Sequence, residues 1–148
     1  MTVHTSDRTG SDEVDRSADE AAIRSLLAAN WAASNAHDAV GVAATYLPDG
    51  DAWIAGLARV SGSKEIRRLE EEFGGMPGFE SYRAAIDTIR FISRDAAIVE
   101  VSATTNLDTG NFDEETTIVV ARTDGGAWRI AAWRVMTVDE TLLRLLRQ

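Results

Sequence analysis

The stretch FISRDAAIVEVSATTNL, residues Phe91–Leu107, decides the fold. Two runs rich in Val, Ile and Thr flank Ser93-Arg94-Asp95, a connection short enough to demand a hairpin. The pattern repeats on both sides. Phe79–Ile92, Ala96–Leu107, Glu115–Thr123 and Trp128–Val138 all suit strands, with further turns at Asp108–Asp113 and Asp124-Gly125-Gly126. The second half of the chain therefore reads as an antiparallel meander of four strands.

Upstream the period changes to that of helices. Ser17 or Asp19 can cap a first helix, with Glu20 three residues after Ser17 as in a capping box. Ile23, Leu26, Leu27, Asn30, Trp31 and Ser34 share one face of it, and it closes around Asn35-Ala36-His37. Asp38 caps a short second helix with Val42, Ala43 and Tyr46 inward. Pro48-Asp49-Gly50-Asp51 signals a turn, followed by short strands at Asp51–Ala55 and Leu57–Ser61. Ser63 caps a third helix carrying Ile66, Leu69 and Phe73, and Gly74–Gly78 stops it. Met1–Ser17 is polar and unpatterned and reads as a disordered acidic tail. Residues 18–138 form one domain, and residues 139–148 a C-terminal extension whose DETLLRLLR is amphipathic and suits packing on the sheet or on a second subunit. The expected class is α+β, with N-terminal helices packed in the concave face of a strongly curved, mainly antiparallel sheet.

Composition narrows the chemistry. The 148 residues are 45% hydrophobic and carry a formal net charge of −9. An acidic chain is a poor match for nucleic acid, whose phosphates need a basic face. With no cysteine, disulfides, thiolate metal sites and cysteine nucleophiles are excluded. No apolar run approaches the roughly 20 residues that span a bilayer, and the N-terminus lacks the order of a signal peptide, so no membrane partner is expected and a cytoplasmic location is. His4 and His37 are isolated, which argues against a metal site and against a Ser–His–Asp triad. Gly74–Gly78 follows a helix and precedes a strand, the reverse of a phosphate-binding loop. No cofactor is expected.

Short turns set register, and register sets which residues share a face. Pairing Ser93 with Ala96, Asp108 with Asp113 and Asp124 with Ala127 puts Phe91, Ile98, Thr123 and Trp128 in one row. Rows of Ile89, Glu100, Ala121 and Ile130, of Asp87, Ser102, Val119 and Ala132, and of Ala85, Thr104, Thr117 and Arg134 follow on the same face. The other face gathers Arg90, Arg122 and Arg129, which would repel if buried together, so it is expected outside. A bulge in a long strand would exchange the faces beyond it. On this register the concave wall turns from apolar to polar, and a solvent-reached ligand cavity would account for its polar end.

The order of elements, with Asn35-Ala36-His37-Asp38, Tyr46-Leu47-Pro48-Asp49-Gly50-Asp51-Ala52-Trp53, Gly62 with Ile66, and Gly126-Ala127-Trp128-Arg129-Ile130-Ala131-Ala132, resembles the nuclear-transport-factor-2-like superfamily. The nearest flavour is that of SnoaL-like and SgcJ/EcaC-type proteins of actinobacterial secondary metabolism. The resemblance covers about residues 18–138 and implies a cystatin-like α+β cone, home to ketosteroid isomerase, polyketide cyclases, epoxide hydrolases and non-catalytic association domains. Several SgcJ/EcaC members carry a histidine on the last strand where this sequence aligns Arg134, which speaks against a histidine-based mechanism.

Within the expected wall, Asp87 and Glu100 are the catalytic candidates. Paired carboxylates in an apolar setting have their pKa values pushed apart, giving one acid and one base. Arg134 could hold a carboxylate or polarise a carbonyl, and Ser102, Thr104 and Thr117 could orient a ligand oxygen. Asn30, Trp31, Tyr46 and Trp53 sit on elements that cap the cone and are ligand-binding candidates, although aromatic residues there are commonly core. Glu70-Glu71-Glu72 reads as a solvated helix face. Two functions fit. One is a cofactor-free acid–base enzyme, of isomerase, cyclase or epoxide-hydrolase type, acting on a hydrophobic polyketide-like molecule. The other is a non-catalytic ligand-binding or association module, a homodimer through an outer patch of Ile86, Ala103, Ile118 and Trp133.

Overall fold

The computed structural model describes residues 4–54 and 58–137, with side chains over 16–54 and 58–136. Helix α1 spans His4–Asn35, α2 Ala39–Ala44 and α3 Ser63–Gly74. The strands are β1 Tyr46–Ile54, β2 Ala58–Ser61, β3 Phe79–Ser93, β4 Ala96–Leu107, β5 Gly110–Arg122 and β6 Trp128–Thr137. The sheet order is β2-β1-β6-β5-β4-β3. The meander therefore forms one side of a six-stranded sheet, and β1 joins it by pairing parallel to β6. All other pairs are antiparallel. This is the α+β class expected, with helices in the concave face of a curved, mainly antiparallel sheet.

Local chemistry accounts for some element ends, although Ser63 is the first residue of α3 and not its cap, the N-cap being Gly62 with no side-chain hydrogen bond. Asp38 accepts a hydrogen bond from Gly41 N–H at 2.9 Å and so caps α2. Gly78, at φ 81°, lies so close to the Asp108 carboxylate that a Cβ there would overlap it, and its carbonyl accepts from Asp108 N–H at 2.8 Å. That contact ties the start of β3 to the end of β4. Helix α1 begins at His4, ahead of the expected start at Ser17, because elongation adds a backbone hydrogen bond per residue and needs no apolar stripe. The Pro48–Asp51 turn is not a separate turn. It lies within β1, where the register against β6 shifts between Tyr46 and Asp51. The C-terminal extension, residues 139–148, lies outside the described residues.

Register departs from expectation at defined places, and these reverse much of the face assignment. Ser93 pairs with Ala96 as expected, but a shift follows at once, so Phe91 faces Ala97 and Arg90 faces Ile98. A second shift lies at Asp87, between Ile86↔Val101 and Thr88↔Glu100. The β4–β5 turn is tighter than Asp108–Asp113, since Leu107 already pairs with Gly110. On β6 a shift between Ile130 and Ala132 leaves Ala131 bulged.

The concave face consequently carries Ala97, Val99, Val101 and Ala103 of β4 and Thr116, Ile118 and Val120 of β5, all buried. Rows run across it. Phe91, Ala97, Val120, Ile130 and Tyr46 form one, and Ile89, Val99, Ile118, Trp133 and Ala52 the next. Beyond lie Ile86, Val101, Thr116 and Val135, then Ala84, Ala103 and Glu114, then Tyr82 and Thr105. Against this wall pack Ile23, Leu26 and Leu27 of α1, Val42 and Ala43 of α2, and Ile66 of α3. The wall does turn from apolar to polar, but through Thr116, Glu114, Thr105 and Tyr82 rather than the residues expected. The patch Ile86, Ala103, Ile118 and Trp133 faces this core and is not an outer surface.

Of the three arginines expected on the outer face, Arg90 and Arg129 lie there and Arg122 does not. It shares the inner row of Trp128, yet its charge is answered. Its guanidinium donates to Asp19 at 2.9 Å and to Asp95 at 3.1 Å, and lies 5.0 Å from the centre of the Trp128 ring. Arg122→Met should cost about 2 kcal/mol, because it strands the Asp19 carboxylate beside Trp128. Urea denaturation should show the loss as a lower midpoint at unchanged slope.

Candidate functional site

The polar end of the concave wall holds the candidate site. Glu114 of β5 shares its row with Ala103 and Ala84. Glu70 comes from α3, one helical turn after the fully buried Ile66, and so turns inward while Glu71 and Glu72 stay exposed. Each carboxylate has only a long hydroxyl contact. Ser34 Oγ donates to Glu70 at 3.4 Å and Thr105 Oγ1 to Glu114 at 3.5 Å. Burial pushes both carboxyls above the usual glutamate range, and those hydroxyls pull them back.

Tyr82 links the two. Burial raises its phenol well above the usual range, and the charges of Glu114 and then Glu70 raise it further. Its position is held by Asn35, whose side-chain amide donates to Tyr82 C=O and accepts from Tyr82 N–H, both at 2.8 Å. Tyr46 is likewise raised by burial first, then by Glu70, Tyr82 and Asp51, with Arg134 lowering it. Both phenols stay protonated donors at neutral pH.

Among the described residues, three buried side-chain polar atoms have no hydrogen-bond partner: Trp31 Nε1, Tyr82 Oη and Thr116 Oγ1. Thr116 is only 1% exposed. Each such group left unpaired costs about 1–3 kcal/mol, so the arrangement suits a ligand that supplies the missing partners. Among the described residues no cationic side chain figures among the causes that shift Glu70 or Glu114. Nor is any described group of three or more His, Asp or Glu side chains arranged to hold a metal ion.

Of the residues singled out from sequence, the interior brings together Asn30, Trp31 and Tyr46. Asn30 acts as a strut, its Nδ2 donating to Thr45 Oγ1 at 2.9 Å. The others lie on the convex face in separate small pairings. Ser102 Oγ donates to Asp87 at 2.5 Å, Thr117 Oγ1 to Glu100 at 2.7 Å, and Thr104 Oγ1 to Asp113 at 2.8 Å. Asp87, Glu100 and Ser102 are exposed. The shared apolar wall that would have made Asp87 and Glu100 an acid–base pair is therefore not theirs. Arg134 holds Asp51 in a two-pronged ion pair at 2.8 and 3.0 Å, and its guanidinium lies 5.8 Å from the ring centre of the half-exposed Trp53. His37 is an exposed loop residue with φ 58°, edge-on to Phe79 at 5.5 Å.

Glu70 and Glu114 were missed for different reasons. The signal for Glu70 was its spacing, four residues after Ile66 and three before Phe73. Glu114 was hidden by the turn assignment that began β5 at Glu115. Once β5 starts at Gly110, alternation carries the face of Ile118 and Thr116 directly back to Glu114.

Comparison with solved structures follows this geometry. A domain of unknown function with a cystatin-like fold from Nostoc punctiforme superposes with a TM-score of 0.74 at 24% identity, covering 88% of this chain and 85% of that one. An NTF-2-like protein of unknown function from Shewanella oneidensis gives 0.67 at 18% identity, covering 78% of this chain and 97% of that one. The fold is the nuclear-transport-factor-2-like cone. A third structure on the same cone is hexachlorocyclohexane dehydrochlorinase type 3 from Novosphingobium barchaimii, with a TM-score of 0.66 at 20% identity over 85% of this chain and 92% of that one. No family model matches the sequence, and no curated protein matches it. Among the described residues, no helix of the cone is long and apolar enough to cross a membrane.

Proposed function

We propose that the cone interior binds a small, largely apolar, oxygenated molecule and performs acid–base chemistry on it with Glu70 and Glu114. The observation that carries this reading is two desolvated carboxylates, without a cationic partner among the described residues, flanking Tyr82 beside unpartnered polar atoms. A carboxylate of raised pKa is a stronger base when ionised and a usable acid when protonated. One glutamate takes a proton from carbon or, for epoxide opening, from the water that attacks the ring. The second, or the Tyr82 hydroxyl, returns one to a developing or departing oxygen. Trp31, Tyr46 and Thr116 hold the ligand's polar atoms.

That proton balance serves isomerisation, cyclisation or epoxide opening, and also elimination. A dehydrochlorinase, as its name says, removes hydrogen chloride, and its presence on the same cone supports this class of chemistry. The substrate we assign is a polyketide-like intermediate of secondary metabolism. Carboxyl carbon NMR on protein labelled at glutamate tests the reading. Two resonances, assigned through Glu70→Gln and Glu114→Gln, should titrate well above the exposed glutamates. If both move with the exposed set, the acid–base proposal fails and the cone is at most a binding module.

A further inference from the structure

The lining of the site also constrains the charge of what enters. Glu70 and Glu114 present two carboxylates to one interior. The charged groups facing them from the packed elements are few. Asp51 and Arg134 reach Tyr46 but neutralise each other, and Arg122 is spent on Asp19 and Asp95 in the row of Trp128. Arg129 is half-buried but lies on the convex side, opposite Ala121, and Arg24, Lys64, Arg67, Arg68, Arg83 and Arg90 are exposed. Tyr46 lies within the field of Glu70, and Tyr82 within that of both glutamates, and an aromatic ring can add to the attraction of a cation. Trp31 Nε1 can only donate, so its missing partner is an acceptor atom. Thr116, almost fully buried in the next row, offers a hydroxyl with no partner.

We infer that the ligand of the cone is a lipophilic amine, cationic at neutral pH, which also carries an acceptor oxygen. Its ammonium pairs with Glu70 or Glu114, and its oxygen takes the Trp31 or Tyr82 proton. This rests on the reading of the interior as a ligand site and narrows its substrate class. An ammonium beside one carboxylate favours its ionised form, so that glutamate can anchor the ligand while the other acts as base and Tyr82 as donor. An anionic ligand meets two like charges and is rejected.

The test is calorimetry on the full chain with three probes of one shape: naphthylethylamine, naphthylethanol and naphthylacetate. The amine should bind about tenfold more tightly than the alcohol, and the acetate most weakly. Amine binding should also release protons as pH falls toward the titration of the two glutamates. The overall charge of −9 could by itself attract an amine, so Glu70→Gln/Glu114→Gln is compared with Glu71→Gln/Glu72→Gln, which removes equal charge from the exposed side of α3 and its end. The amine preference should vanish in the first and persist in the second. If the alcohol binds as well as the amine, or both variants lose the preference equally, the amine proposal is overturned while the pocket stands. If none of the three binds, pocket and amine both fall.

Discussion

Val99→Asp should abolish the cooperative thermal transition of this domain, whereas Ile98→Asp, one residue earlier, should leave it folded. Val99 is fully buried in the row of Ile89, Ile118 and Trp133. A carboxylate there has no partner and loses both its hydration and the packing of the valine. Costs of this kind run to several kcal/mol, comparable with the whole stability of a domain of this size. Ile98 lies on the convex face opposite Arg90 on one side and Val119 on the other, so an aspartate there keeps water and gains an arginine neighbour. Near-UV circular dichroism on heating reads the difference. Equal damage from both substitutions would refute the assignment of the faces, and with it the placing of Glu114 inside.

That contrast also shows how far the fold was legible. Strand content, α3 and the Ser93–Ala96 hairpin follow from Val, Ile and Thr runs and from turn chemistry, which act locally. The faces of β4 could have been read from β4 alone: Ala97, Val99, Val101 and Ala103 are apolar, while Glu100, Ser102 and Thr104 between them are polar. Arg90 and Arg129 do lie on the outer face as expected, but the shift between Phe91 and Ser93 turns β4 over relative to them. Arg122 on β5 turns inward with it, where Asp19, which is 103 residues away in sequence, neutralises it. A pairing of that range leaves no trace in local pattern. The bulges at Asp87 and Ala131 are of the same kind. Each is a response of a long strand to curvature, and neither has a glycine or proline to mark it.

That the wall has a polar end was legible in the sequence, and the residues at that end were not. Two carboxylates, an arginine and hydroxyls were expected at the polar end of the wall, and a different set of polar side chains lies there. It is built from Glu70, Glu114, Tyr82 and Thr116, with Tyr46 and Trp31 as anticipated members. Alternation in β5 could not choose between Thr116-Ile118-Val120 and Thr117-Val119-Ala121, which are nearly equal in polarity. Tertiary cover by the helices made the choice.

The double substitution Glu70→Gln/Glu114→Gln should make the protein more stable at neutral pH while removing its chemistry. In the folded state both carboxyls titrate above their ordinary value of 4.5, because burial disfavours the charge. The folded protein therefore holds these protons more tightly than the unfolded chain does. The stabilisation is complete below 4.5, declines as pH rises through the interval up to the raised folded values, and is absent above them. Glutamine reproduces the protonated shape without that titration. The two proteins should melt together in acid and separate on going to neutral pH, with the variant higher by about 1 kcal/mol or more, a few degrees in a domain of this size. Turnover of a substrate of the proposed class should fall by about 10²–10⁴. Parallel melting curves across the pH range would mean that the carboxylates are solvated in the folded protein. The opposed signs are the expected signature of groups retained against stability, since two packed amides would serve a purely structural wall better than two desolvated acids.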